Sequence, residues 1–148
     1  NSMDLNVVGD IGCYEPGELP PSDNPEDDSC FCIGASMSVA YGLSIAKDNA
    51  DDNKTVSVLS GSTFMHSGLQ ALSNIVANNG TATVCILANP GDGGAPDANI
   101  DYRKLCEGLG IDSIHTVSSK DESEIKRLLE QELPKPGVSV LIAEFTNA

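Results

Sequence analysis

Three segments of this chain carry residue types and spacings suited to holding an anion or a hard cation. The first is Ser60-Gly61-Ser62-Thr63-Phe64-Met65-His66-Ser67-Gly68, set between a β-branched run and a helical pattern. A strand, a Gly/Ser/Thr turn and a helix start form a ready anion site. First-turn N–H groups lack intrahelical partners, and the helix dipole favours negative charge. The hydroxyls of Ser62 and Thr63 can add donors. The simpler account of this segment alone is a helix capped by Ser62, Thr63 or Ser67, with nothing bound. The second segment begins at Asn89, directly after the next apolar run. In a parallel sheet, loops one crossover apart emerge side by side. The Asn89 side-chain oxygen and a main-chain carbonyl near Gly91 could then ligate Mg²⁺, although Asn89-Pro90-Gly91 also reads as a plain turn. The third is Gly9-Asp10-Ile11-Gly12-Cys13-Tyr14. Its glycines allow close approach of the backbone to a ligand. Cys13 either faces that ligand or packs, and Asp10 either binds a ring nitrogen or caps a turn.

These segments need a scaffold that brings them together. Short apolar, β-branched runs at Leu5–Val8, Thr55–Leu59, Ala82–Leu87, Ser113–Val117 and Val138–Ala143 read as strands buried on both faces, as in a parallel sheet. Helical spacing lies between them. Ile33, Met37, Ala40 and Ile45 predict a helix from about Gly34 to Asp48. Leu69, Leu72, Ile75 and Val76 predict a second, stopped by Asn78-Asn79-Gly80. Tyr102, Leu105, Cys106 and Leu109 predict a third, stopped by Gly110. Ser119-Lys120-Asp121-Glu122 reads as a capping box opening a fourth, with Ile125, Leu128 and Leu129 on its apolar face and Pro134 at its end. Alternating strands and helices predict a three-layer, doubly wound, mostly parallel α/β sheet with helices on both faces. Two long loops, from Gly9 to about Ser29 and from Ala88 to about Asn99, follow strands. Ligands gather at that end of an open α/β sheet.

Composition narrows the function further. The chain has 148 residues, 40% of them apolar. That suits one domain able to bury a core without a disulfide or metal. No stretch approaches the ~20 apolar residues a membrane span needs. The net charge of −14, from 22 acidic and 8 basic residues, argues against nucleic acid and anionic membranes as partners. It also means that an anionic ligand needs local help from N–H groups, a cation or a basic side chain. The five cysteines, Cys13, Cys30, Cys32, Cys85 and Cys106, are odd in number and irregular in spacing. They make a poor disulfide framework. Cys85 and Cys106 read as buried small residues, and Cys30-Phe31-Cys32 is a weak metal signal by itself. Reduced thiols and a cytoplasmic location are the expectation.

Taken together and in order, Gly9-Asp10-Ile11-Gly12-Cys13-Tyr14, Leu19-Pro20-Pro21, Cys30-Phe31-Cys32-Ile33-Gly34-Ala35-Ser36 and Ser62-Thr63-Phe64-Met65-His66-Ser67-Gly68 resemble one family. It is the large subunit of indolepyruvate ferredoxin oxidoreductase, in its C-terminal, diphosphate-binding thiamine-diphosphate domain. The likeness runs from Gly9 to about Asn89 and continues more faintly to Ala143. It implies a thiamine-diphosphate-binding fold and an excised or stand-alone part of a larger enzyme. It implies decarboxylation of aryl 2-oxoacids such as indolepyruvate, acyl capture by coenzyme A, and electron flow through iron–sulfur clusters to ferredoxin. Gly12, Cys13, Cys32, Gly34, Gly61, Ser62, Thr63 and Asn89 become the implied cofactor-binding residues. His66, inside a matched Phe-x-His-Ser-Gly stretch, becomes a weak catalytic candidate, with a hydrogen-bonded helical histidine as the plain alternative.

In the family, Mg²⁺ holds the diphosphate through an Asp in Gly-Asp-Ser, an Asn after the next strand and a backbone carbonyl two residues on. Here Ser60-Gly61-Ser62 aligns with that motif, so the Asp has become Gly61, while Asn89 and the Gly91 carbonyl match. Water or another residue, Asp92 or Asp10, would have to fill the vacant position. The resemblance therefore leaves three readings: a cofactor domain with a weakened or rebuilt metal site, a degenerate domain serving assembly or regulation, and one half of a two-chain 2-oxoacid decarboxylase. It also implies a partner, either a pyrimidine-binding domain or a second copy of the chain, on the face bearing the Cys13 and Asn89 loops. Ferredoxin-linked subunits are further partners that the resemblance implies.

Overall fold

The computed structural model describes residues 5–10, 29–46, 54–88 and 100–145. Six parallel strands form one sheet in the order β2-β1-β3-β4-β6-β5: β1 (Asn6–Gly9), β2 (Ser29–Cys30), β3 (Thr55–Ser60), β4 (Ala82–Ala88), β5 (Ser113–Ser118) and β6 (Val138–Glu144). The predicted doubly wound parallel sheet is thus observed. The two-residue strand β2, which lies beside β1, was not anticipated, because a Ser-Cys pair after an acidic loop carries no apolar run.

Helices α1 (Ser36–Ala46), α3 (Leu69–Ala77) and α4 (Tyr102–Gly108) pack on one face of the sheet. Met37, Phe64, Leu72 and Cys106 meet Leu59, Val84, Ile86, Val140 and Ile142 there. Helix α5 (Glu122–Glu132) covers the other face, where Leu128 meets Val117, Leu141 and Ala143. The side change follows from topology. Every connection from β1 to β5 through a helix steps the same way along the sheet, whereas β5 to β6 steps back. A right-handed crossover must then put its helix on the opposite face. Alternate residues of β4 and β6 serve the two clusters, which is why both strands are apolar throughout. Cys106 is fully buried, and burial pushes its thiol up to about 11. Burial likewise pushes Cys85 up to about 12.

Helix ends agree with the sequence in some places and not in others. Asn79, at φ 51°, closes α3: its N–H reaches the Val76 carbonyl at 3.0 Å, and the Gly80 N–H reaches Ile75 at 2.9 Å. Gly110, at φ 83°, closes α4 the same way, with the Ile111 N–H on the Cys106 carbonyl at 3.2 Å. Both are Schellman ends, with the predicted Asn and Gly in the left-handed position. The start of α5 differs from expectation. Asp121, not Ser119, is the cap, accepting the Glu124 N–H at 3.0 Å. Helix α1 begins at Ser36, two residues later than predicted, because Gly34 sits at φ 82° and cannot be helical.

At the amino end of the sheet, Glu132 is buried with its charge fully engaged. It accepts from Ser113 Oγ at 2.6 Å, Ser139 Oγ at 3.0 Å, Lys135 Nζ at 2.6 Å and Gln131 Nε2 at 3.0 Å, with His115 Nε2 at 3.1 Å. Burial alone would raise its pKa. The hydrogen bonds from Lys135, Ser113 and Ser139 outweigh that and bring it to about 2. This cluster ties the end of α5 to the first residues of β5 and the second of β6.

Candidate functional site

The sheet order steps away from β1 in both directions, to β2 on one side and β3 on the other. The carboxyl ends of the strands at such a reversal are where open α/β sheets receive ligands. Register fixes what emerges there. Ser60 of β3 pairs with Leu87 of β4, so Gly61 leaves the sheet beside the last residues of β4. Asn89 and Gly91 themselves, with Gly12, Cys13 and Asp92, lie outside the described residues.

Asp10, the first residue after β1, is completely buried. Both its oxygens accept the Gly34 N–H, at 2.7 and 2.8 Å, and Oδ2 also accepts the Ser36 hydroxyl at 3.2 Å. Of the two roles read from the sequence, the turn-capping one is found. The carboxylate fastens the end of β1 to the turn that opens α1. Within that turn Cys32 is exposed and in no disulfide, and Phe31 and Ile33 beside it are 68% and 55% exposed. Gly34 faces Ser67 so closely that a Cβ at residue 34 would collide with the Ser67 hydroxyl. Two of the motifs that carried the family resemblance are therefore in contact.

After β3 the chain turns into helix at once. Helix α2 (Gly61–Thr63) runs through a π-helical segment (Phe64–Gly68), closed by the Leu69 N–H on the Phe64 carbonyl, and on into α3. Sequence periodicity placed the start of this helix later, because Ser-Gly-Ser-Thr reads as loop. The cap is Ser60, not Ser62, Thr63 or Ser67. Its Oγ accepts the Thr63 N–H at 3.2 Å, donates to Thr63 Oγ1 at 3.0 Å and lies 2.9 Å from Ser62 Oγ. The hydroxyls of Ser62 and Thr63, expected to serve a ligand, are thus each bonded to Ser60 Oγ. His66 is exposed on the π segment, a kind of irregularity frequent at functional sites.

Sequence reasoning missed Tyr102, which appeared only as an apolar mark on α4. Its ring stands against Gly61. A Cβ at residue 61 would overlap the phenol oxygen and lie 2.8 Å from Cζ, with the Leu87 carbonyl at 3.5 Å. Phe64 holds the ring edge-on, with centroids 5.9 Å apart at 69°. Beyond Tyr102 a cavity of about 390 Å³ opens along the ends of β5 and β6, bordered by Asp101, Arg103, Thr116 and Glu144. No local signal could have found this pairing, because it joins the start of α2 to the start of α4, 41 residues apart. Among the described residues, no three His, Cys, Asp or Glu side chains come together as a cation shell, and no helix is long and apolar enough to cross a membrane.

A parallel sheet whose β1, β3 and β4 end on one rim, with a helix starting at that rim, is an open α/β domain of the kind that receives ligands at its strand ends. Residues 10–95 match the family described as thiamine pyrophosphate enzyme, C-terminal TPP binding domain, and the chain belongs to that family. It is 31% identical, over 90% of its length, to indolepyruvate oxidoreductase subunit IorA of Pyrococcus horikoshii, and 28% identical, over 95%, to that of Archaeoglobus fulgidus. The resemblance read from the motifs is thereby borne out. The chain spans only 24% of those relatives. Among solved structures, it superposes on Rhodococcus jostii thiamine diphosphate-dependent 4-hydroxybenzoylformate decarboxylase with a TM-score of 0.65 at 14% identity, covering 99% of this chain and 30% of that one. An enzyme from Mycobacterium smegmatis described as thiamin diphosphate-dependent gives 0.60 at 20% identity, with 97% and 29% covered. At these identities the likeness is one of fold.

Proposed function

We propose that this chain is the diphosphate-binding domain of a thiamine-diphosphate-dependent 2-oxoacid oxidoreductase of the indolepyruvate type. The supporting observation is the family match over residues 10–95, whose strand ends meet on the rim flanked by Asp10, Gly34 and the Ser60 helix start. In such enzymes the reactive chemistry belongs to the cofactor. This chain would supply a wall, a helix N-terminus and a fixed turn. Gly12, Cys13, Cys32, Gly34, Gly61, Ser62, Thr63 and Asn89 are the residues proposed to border the cofactor.

Magnesium is implied by the resemblance, and the residues at position 61 do not fit it. Glycine offers no side-chain donor, and the space a side chain would take holds the Tyr102 phenol. Asp10, one of two carboxylates considered as substitutes, is committed to Gly34 and Ser36. The same observations favour, as a second reading, a domain that keeps the fold and serves assembly. The exposed Phe31 and Ile33 beside the rim suit a wall that another module covers. A pyrimidine-binding domain or a second copy is the proposed partner, in the cytoplasm, with ferredoxin-linked subunits beyond it.

Equilibrium titration of the intact protein with thiamine diphosphate, using thiamine monophosphate as control, tests the reading. Binding of the diphosphate at least tenfold tighter than the monophosphate is expected. Equal or absent binding of both overturns it in favour of the assembly role.

A further inference from the structure

We propose that Tyr102 stands in for the side chain missing at position 61 and closes this part of the rim to a divalent cation. The inference rests on the diphosphate-binding reading above and deepens it. Positions 61 and 102 then form one coupled device in which glycine is required because tyrosine is present.

Geometry carries the argument. A Cβ on residue 61 would overlap the phenol oxygen and approach ring carbon Cζ to 2.8 Å. Real Cβ atoms do not come that close to their neighbours, so any residue but glycine must displace the ring. The ring is not easily displaced. Phe64 packs against it edge-on, and it borders the main core. Its helix is fixed from two sides. Asp101 caps α4 through the Lys104 N–H at 3.0 Å, and Arg103 Nη2 donates to the Ile114 carbonyl at 3.1 Å and to Thr116 Oγ1 at 3.2 Å.

Chemistry points the same way. A hard divalent cation selects charged or carbonyl oxygens, whereas a phenol is neutral at ordinary pH and is chiefly a hydrogen-bond donor and acceptor. Replacing a carboxylate by a phenol exchanges a metal ligand for a group suited to a phosphate oxygen. The nearby hydroxyls of Ser60, Ser62 and Thr63 are bonded among themselves, and Asp10 is held by Gly34 and Ser36. Neither set rebuilds the missing charge at residue 61.

A double-mutant cycle on the intact protein tests the coupling. Gly61→Ala should lower the melting temperature by roughly 5 °C in the natural background, and by less than half of that in a Tyr102→Leu background. Equal losses in both backgrounds overturn the proposal. Thiamine diphosphate titrations in Mg²⁺ and in EDTA give the second arm. The natural protein should differ by less than twofold between them, whereas Gly61→Asp/Tyr102→Leu should gain at least tenfold from Mg²⁺. A tenfold Mg²⁺ effect in the natural protein overturns the proposal. Absence of thiamine diphosphate binding under both conditions overturns the diphosphate-binding reading instead, and the stability cycle still decides the role of Tyr102.

Discussion

The carboxylate of Asp10 receives the backbone N–H of Gly34 on both oxygens, at 2.7 and 2.8 Å, across 24 residues of sequence. One buried charge thus sets where the first strand ends and where α1 begins. Asp10→Ala would strand the Gly34 N–H and the Ser36 hydroxyl, and should cost about 2–3 kcal/mol. Urea denaturation measures that cost. Hydrogen exchange should rise first at residues 34–36, and unchanged protection there would contradict this account of the turn.

Gly34 also meets Ser67. Gly34→Ala adds left-handed strain of about 1 kcal/mol to a collision with the Ser67 hydroxyl, for a total near 2–4 kcal/mol. Ser67→Gly removes the collision but not the strain. The double variant should therefore be more stable than the sum of the single losses by about 1–3 kcal/mol. Strict additivity, read from denaturation midpoints, would show that the two motifs do not press on each other.

The Glu132 cluster predicts an acid limb in the stability profile. Its folded pKa of about 2 lies below the ordinary 4.5. Between those values the unfolded chain binds more protons, so stability rises with pH. The contribution is fully present above about pH 4.5 and is lost as pH falls toward 2. Glu132→Gln should cost about 3 kcal/mol at neutral pH and flatten the dependence between pH 2 and 4.5. An unaltered acid slope in that variant would assign the titration to other carboxylates.

Much of the architecture was legible because it is local. Apolar runs announced β3, β4 and β6. Asn79 and Gly110 announced helix stops, since a left-handed residue is a property of one position. What was illegible depends on contacts distant in sequence. Strand β2 exists only by pairing with β1. Ser60 became a cap only once Gly61 joined the helix. Asp121 displaced Ser119 as a cap because both residue types suit the role, and tertiary placement of α5 chose between them. The partners of Glu132 include Ser113 and Ser139, 19 and 7 residues away, and nothing in an amphipathic helix pattern singles out that glutamate. At the site, the motifs at Gly34 and Ser67 were visible as separate words, whereas their contact, and that of Gly61 with Tyr102, required the assembled sheet.

The π segment Phe64–Gly68 lies between two stretches of one helix that answer to different neighbours. A wide turn inserts extra rotation between the start of a helix and its remainder. Gly61 and Thr63 are phased to suit the rim, while Leu72 and Ile75 are phased to suit the hydrophobic interior. The widened turn lets one continuous helix meet both demands.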